Sequence, residues 1–170
     1  MTPDKITLER IETLHPKLRD EAGKIYAEIC QALTGKVGCR FAYCYRSFAE
    51  QAILYAQGRT CPGNVVTNAR SGRSYHNYGF AIDIVLLIDN DGNGSFETAS
   101  WNDEADFDGD KKADWLEIVT IFKQYGWAWG GDWKFTDMPH FQKTFDRSIV
   151  ELLTLYDEKK VIPNTNYVNI

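Results

Sequence analysis

Two histidines and one aspartate carry the chemistry most visible in this chain. His76 and Asp83 stand seven positions apart in the run Ser74-Tyr75-His76-Asn77-Tyr78-Gly79-Phe80-Ala81-Ile82-Asp83-Ile84, and His140 lies in Asp137-Met138-Pro139-His140-Phe141-Gln142. Two imidazoles and a carboxylate form the three-ligand set of a catalytic zinc site, which leaves a fourth position for water. Gly79 and Ala81 lack bulk, so the backbone between the first two ligands can fold close to a metal. Asp83 heads the apolar run Ala81–Ile88. An unpaired carboxylate there is costly, and a cation removes the cost. A capped loop histidine beside a salt-bridged aspartate explains the same residues, and on composition alone the two accounts stand level. Asp137 adds a carboxylate three residues before His140. Such a group can take a proton from an activated water and pass it to a leaving amine. As a turn residue before Pro139, it has a structural account too.

The elements that must hold these residues follow from periodicity. Leu18, Ala22, Ile25, Tyr26, Ile29 and Leu33 recur at three and four, which predicts helix over 6–34, broken at Pro16. His15 reads as an ordinary helix-boundary residue. A strand is expected over 39–45. A helix should follow, opened by Ser47 with Glu50 as capping-box partner and closed by Gly58. Residues 59–75 read as a polar loop, and Ala81–Ile88 as a central strand. Helix is expected over 115–125, a short strand and turn over 127–133, a strand over 139–142 carrying His140, and helix over 147–160 before a polar, loose tail. The sum is an α+β fold, a small, mainly antiparallel sheet flanked by helices, in one domain over 1–170.

At 170 residues, with 44% hydrophobic and 25% charged, the chain has the composition of a globular domain with a real core. Its net charge of −5 argues against a nucleic-acid partner. The acidity is local: residues 89–117 hold ten acids against two lysines. The remainder is mildly basic, which suits an anionic polymer such as a cell wall. The first residues carry no apolar stretch of a secretory signal, and no run of 18 apolar residues exists to insert in a membrane. Cys30, Cys39, Cys44 and Cys61 match no CxxC pattern and read as reduced thiols, with a disulfide open to two of them outside the cytoplasm. A monomer is expected.

The acidic insertion, about 89–117, contains two loops patterned like an EF-hand. Asp89, Asp91, Asn93 and Glu97 supply oxygen at positions 1, 3, 5 and 9, with Gly94 at position 6 and Ser100 where the closing acid should stand. Asp106, Asp108, Asp110, Asp114 and Glu117 fill positions 1, 3, 5, 9 and 12, with Lys111 in place of the glycine. Calcium binding is the functional expectation, because so many acids repel unless a cation joins them. A solvated acidic loop is the other.

The runs Tyr45-Arg46-Ser47-Phe48-Ala49-Glu50-Gln51, Leu54-Tyr55-Ala56-Gln57-Gly58-Arg59, Ser74-x-His76-x-x-Gly79-x-Ala81-x-Asp83, Gly130-Gly131-Asp132-Trp133 and Pro139-His140-Phe141-Gln142 resemble the M15 metallopeptidases. Within them the chain is most similar to the L-alanyl-D-glutamate endopeptidases of phage endolysins and their bacterial cell-wall relatives, over roughly residues 6–162. The resemblance implies a fold like that of Hedgehog and D-Ala-D-Ala peptidases, with zinc on His76, Asp83 and His140 and Asp137 as catalytic base. It implies that Arg46 polarises the scissile carbonyl, that Ser74 and Gln51 contact substrate, and that the partner is a peptidoglycan stem peptide cut between L-Ala and D-Glu. The missing signal fits a cytoplasmic product that reaches the wall as an endolysin does, through a separate membrane pore, and equally a chain shortened from a longer one, so the release route stays open. D-Ala-D-Ala carboxypeptidases or dipeptidases of the family usually carry Glu in place of Asp137, which favours the endopeptidase branch. A non-catalytic, zinc-containing wall-binding module is a further alternative, against which the intact Asp137 and Arg46 argue.

Overall fold

The computed structural model describes residues 3–170. The helices α1 (Lys5–Ile11) and α2 (Pro16–Ala32) lead into β1 (Val37–Tyr43) and α3 (Phe48–Ala56). A 3-10 turn (Tyr75–Tyr78) precedes β2 (Ala81–Ile88), then β3 (Thr98–Ser100) and α4 (Asp114–Gln124). Finally come β4 (Ala128–Trp129), a 3-10 turn (Gly130–Asp132), β5 (His140–Gln142) and α5 (Ile149–Asp157). Every strand pair is antiparallel, in the order β1-β2-β5-β4, with β3 also paired to β2. This is the expected α+β architecture with β2 at its centre.

Strand alternation decides which side of the sheet does chemistry. Ile82, Ile84, Leu86 and Ile88 point into the core, so Asp83, between them, faces the other way. The core face is covered by the apolar stripes of α2 (Leu18, Ala22, Ile25, Ile29) and α4 (Trp115, Ile118, Phe122). Phe122 stacks on Phe141 of β5 at 4.1 Å between ring centroids. The helices thus hold β2 and β5 side by side, and the opposite face presents Asp83 between the buried Ala81 and Val85.

The break at Pro16 has the expected cause. Pro16 takes the first position of α2, where its missing N–H costs nothing. His15 caps that helix, its Nδ1 accepting from Lys17 N at 3.3 Å. Ser47 and Glu50 form the expected reciprocal capping box on α3. β1 starts at Val37 rather than residue 39, and β3 lies inside the acidic insertion, where no strand was expected. β3 is three residues long, too short to leave a period in the sequence.

The tail is not loose. Asn164, at φ +61, turns the chain back so that Val161 pairs with Val168, which is fully buried. His15 Nε2 lies 2.9 Å from Val168 O, and the Tyr167 hydroxyl donates to Thr13 O at 2.8 Å. The polar turn hides two apolar anchors from any windowed hydropathy. All four cysteines are free thiols, Cys39 and Cys44 buried and Cys61 exposed.

Candidate active site

β2 and β5 pair with Asp83 directly opposite His140, and β1 pairs with Tyr43 opposite Asp83. Directly paired residues share a face, so Asp83, His140 and Tyr43 stand in a row on the side of the sheet away from α2 and α4. His76 comes from the 3-10 turn just before β2. Gly79 closes that turn at φ +71, and a Cβ there would meet His15 N at 2.5 Å. Only glycine allows the turn to sit against the α1–α2 corner, where Gly79 O accepts from His15 N at 3.0 Å.

The three side chains converge. Asp83 Oδ1 lies 3.1 Å from His76 Nε2 and 3.0 Å from His140 Nδ1, and the two ring nitrogens are 3.3 Å apart. Zinc bonds of about 2.0–2.1 Å place neighbouring tetrahedral ligands about 3.3 Å from each other. The donor set, its spacing and its small size therefore fit zinc. The far nitrogens fix the ring orientation. His76 Nδ1 meets Cys44 O at 2.8 Å, and His140 Nε2 meets Gln142 Oε1 at 3.1 Å. With the proton on each outer nitrogen, both inner nitrogens offer lone pairs to the same point. Gln142 thus has a role that its place in the motif did not reveal, and the Cys44 carbonyl leaves no sequence signal at all.

These residues line one wall of a cleft of about 310 Å3, shared with Arg46, Arg73, Ser74, Trp133 and Asp137. Arg46 lies over the Tyr43 ring at 4.4 Å from its centroid, and its Nη1 donates to Gln51 Oε1 at 3.1 Å. Its Nε is buried with no hydrogen-bond partner. Gln51 is not placed to touch substrate. It is fully buried behind Arg46, with Nε2 donating to Ala69 O at 2.7 Å. An amide at that point of a helix gives no sign in sequence of whether it faces the cleft or the core. Asn77, also buried, donates through Nδ2 to Arg46 O at 2.8 Å and accepts at Oδ1 from Ser74 N at 3.3 Å.

Asp137 hangs from the Gly-Gly turn. Its N–H donates to Gly130 O at 3.0 Å, and its carbonyl accepts from His140 N at 3.1 Å. A Cβ on Gly130 would lie 2.3 Å from Asp137 O, so this close approach requires glycine. The Trp129 indole donates to Met138 O at 2.8 Å and steadies the same loop.

The electrostatics are those of three groups pressed together. Burial opposes ionisation of Asp83, but His76 and His140 outweigh it and hold the carboxyl well below its ordinary range. Burial likewise opposes a charge on His140, yet the bond and charge of Asp83, Gln142 and Asp137 raise it above the ordinary imidazole value. Burial and the neighbouring Asp83 charge raise Asp137, although His140, His76 and Arg46 pull the other way.

A pH dependence of metal binding follows. The zinc-free protein gains stability from the His140 proton below about pH 6.5 and loses it as pH rises through the raised folded value. A metal must displace that proton, so apparent zinc affinity should weaken by about tenfold per unit below that value. Chelator-competition titrations across that range should show the slope; a flat profile would contradict it.

The acidic loops lie elsewhere. β2 carries the chain from Asp83 to Ile88, about 17 Å away at its usual rise, and the insertion begins there. One carboxylate oxygen each from Asp89, Asp91 and Glu97 lies within 4.8 Å of the others, and the same holds for Asp106, Asp108 and Asp114. Asn93 instead donates to Asp91, while Asp110 and Glu117 share the Lys112 ammonium at 2.7 and 3.3 Å.

Residues 67–143 match a family model described as D-alanyl-D-alanine carboxypeptidase, of the M15 peptidases. The chain is also 45% identical over 130 residues to the peptidoglycan L-alanyl-D-glutamate endopeptidase CwlK of Bacillus subtilis (strain 168), across 76% of this chain and 72% of the relative. M15 peptidases are generally zinc-dependent, and the convergent His76, Asp83 and His140 are of the kind they need. The family model and the relative agree: this chain belongs to the M15 peptidase family.

Proposed function

We propose that the protein is a zinc-dependent peptidoglycan hydrolase that cuts the stem peptide between L-Ala and D-Glu. The observation that carries this reading is the single cleft in which the His76–Asp83–His140 cluster meets Asp137 and Arg46. The likeness to CwlK supplies the bond. His76, Asp83 and His140 would hold zinc, which would supply a Lewis acid and a more acidic water. Asp137 takes the proton from the attacking water and delivers it to the leaving amine of D-Glu. Burial raises its pKa, which makes it a better acceptor of the water proton than an ordinary carboxylate. Arg46 directs its guanidinium at the scissile carbonyl and stabilises the oxyanion that develops there. Tyr43 and Gln51 keep that guanidinium in place, so Gln51 acts as a positioning residue. Ser74, on the cleft wall, offers a hydroxyl to the substrate backbone.

The protein acts on the cell wall as a monomer of the endolysin type. No helix among the described residues is long and apolar enough to cross a membrane. Cleavage at D-Ala-D-Ala is the second reading, favoured by the description of the family model. Mass spectrometry of digested sacculi separates the two. Fragments with a new D-Glu amino terminus are expected, whereas release of free D-Ala with intact L-Ala–D-Glu bonds would overturn the first reading.

A further inference from the structure

We propose that the loop from Asp106 to Glu117 is a calcium site. This rests on the loop alone and is independent of the peptidase reading. Lys111, where a cation loop usually has glycine, was the sequence objection to it. That lysine adopts φ +74, the left-handed conformation, and its N–H donates to Asp106 Oδ2 at 2.9 Å. Its side chain therefore does not prevent the winding that gathers Asp106, Asp108 and Asp114, positions 1, 3 and 9, round one point. The winding by itself names no ligand.

Two buried oxygens do. Asp114 is wholly inaccessible to solvent, yet only its Oδ2 has a donor, Phe107 N at 2.8 Å. Its Oδ1 has none, and Glu117 Oε2 is also buried without a partner. Asp114 is the same residue whose carboxylate lies within 4.8 Å of oxygens from Asp106 and Asp108. Acceptors buried without donors are rare and demand a reason. Burial, then the charges of Asp108, Asp106 and Glu117, push Asp114 up to about 6. The one ammonium that enters this group, Lys112 Nζ, reaches only Asp110 and Glu117. Five acids with a single lysine leave a place for a divalent ion.

The all-oxygen donor set selects among metals. Calcium accepts 6–8 oxygens at about 2.3–2.6 Å in a flexible shell, magnesium demands a tighter octahedron, and zinc prefers nitrogen or sulfur. The first loop differs in the decisive respect. Backbone N–H groups reach the aspartates of both loops, Asp106 accepting from Gly109 and Lys111 and Asp108 from Thr34 and Asp110; in the first loop Asp89 accepts from Gly92, Asn93 and Gly94, and Glu97 from Asn90 N. It shows no buried oxygen without a donor, so the proposal does not extend to it.

Calorimetric titration of the zinc-loaded full chain with calcium chloride, run beside magnesium chloride, tests the proposal. We expect one calcium per chain and a rise in thermal midpoint, with magnesium weaker by at least about tenfold. Asp106→Asn and Asp114→Asn should each weaken calcium binding by about tenfold or more, Asp91→Asn should leave it unchanged, and Lys112→Met should tighten it by removing the competing charge. Absence of heat and of any thermal shift up to about 10 mM calcium, beyond the weak end of known calcium modules, would overturn the proposal. So would binding that Asp91→Asn abolishes and Asp114→Asn retains. The wild-type titration decides the matter even if an aspartate variant fails to fold.

Discussion

Asp137→Asn should lower kcat/KM on a stem-peptide substrate by about 10²–10⁴, the range typical of losing a general acid–base group. It should leave one zinc per chain. The asparagine keeps the shape of the side chain, and Asp137 is held by its backbone through Gly130 O and His140 N rather than by its carboxylate. The loop should therefore stay in place, and the loss should appear mainly in kcat, because the proton relay operates in the transition state. Initial rates together with metal analysis check this. Unchanged turnover with zinc still bound would remove Asp137 from the mechanism and return it to the role of a turn residue before Pro139.

Asp83→Asn should be more severe, because it strikes the metal itself. Losing an outer partner of a metal ligand typically costs 10–100-fold in affinity, so loss of the ligand carboxylate should exceed about 100-fold and take activity with it. The substitution also removes the negative charge that two imidazoles now share at 3.0 and 3.1 Å. Burial of His140 would remain while its main charged partner vanished, so the His140 pKa should fall from its raised value. Ring-proton NMR of the zinc-free variant reads that change directly, and an unshifted titration would show that Asp83 does not set the His140 charge. Retention of stoichiometric zinc at nanomolar metal would refute the ligand assignment.

The grouping of His76, Asp83 and His140 was legible because two of the three are histidines, of which the chain has three, and two of the three are local in sequence. The elements around it were legible where they are long and periodic, as in α2, β2 and α4. What escaped were features whose cause lies across the fold. Gln51 has the same letters whether it faces substrate or supports Arg46; only the packing of α3 against the loop at Ala69 puts it behind the guanidinium. The Cys44 carbonyl that orients His76 is invisible because every residue has one. Gln142 was legible as a motif letter but not as the partner of His140, since that contact depends on the β5 backbone. The tail misled because its two anchoring valines are separated by a polar turn.

The Asp83–His140 register carries a consequence for how the chain reaches its final state. His76 and Asp83 are near neighbours in sequence, but His140 is 57 residues beyond Asp83. All of the acidic insertion lies within that span. A metal bound to the three residues is therefore a cross-link closing a large loop, and its binding energy favours the folded chain, in which the three side chains meet. A slip of one residue between β2 and β5 would send Asp83 and His140 to opposite faces of the sheet. The site can assemble only after the sheet has chosen its pairing, so zinc selects among registers as well as serving the reaction. Unfolding of the zinc-loaded protein should accordingly be slower than unfolding in the presence of a chelator, while the folding rate changes little.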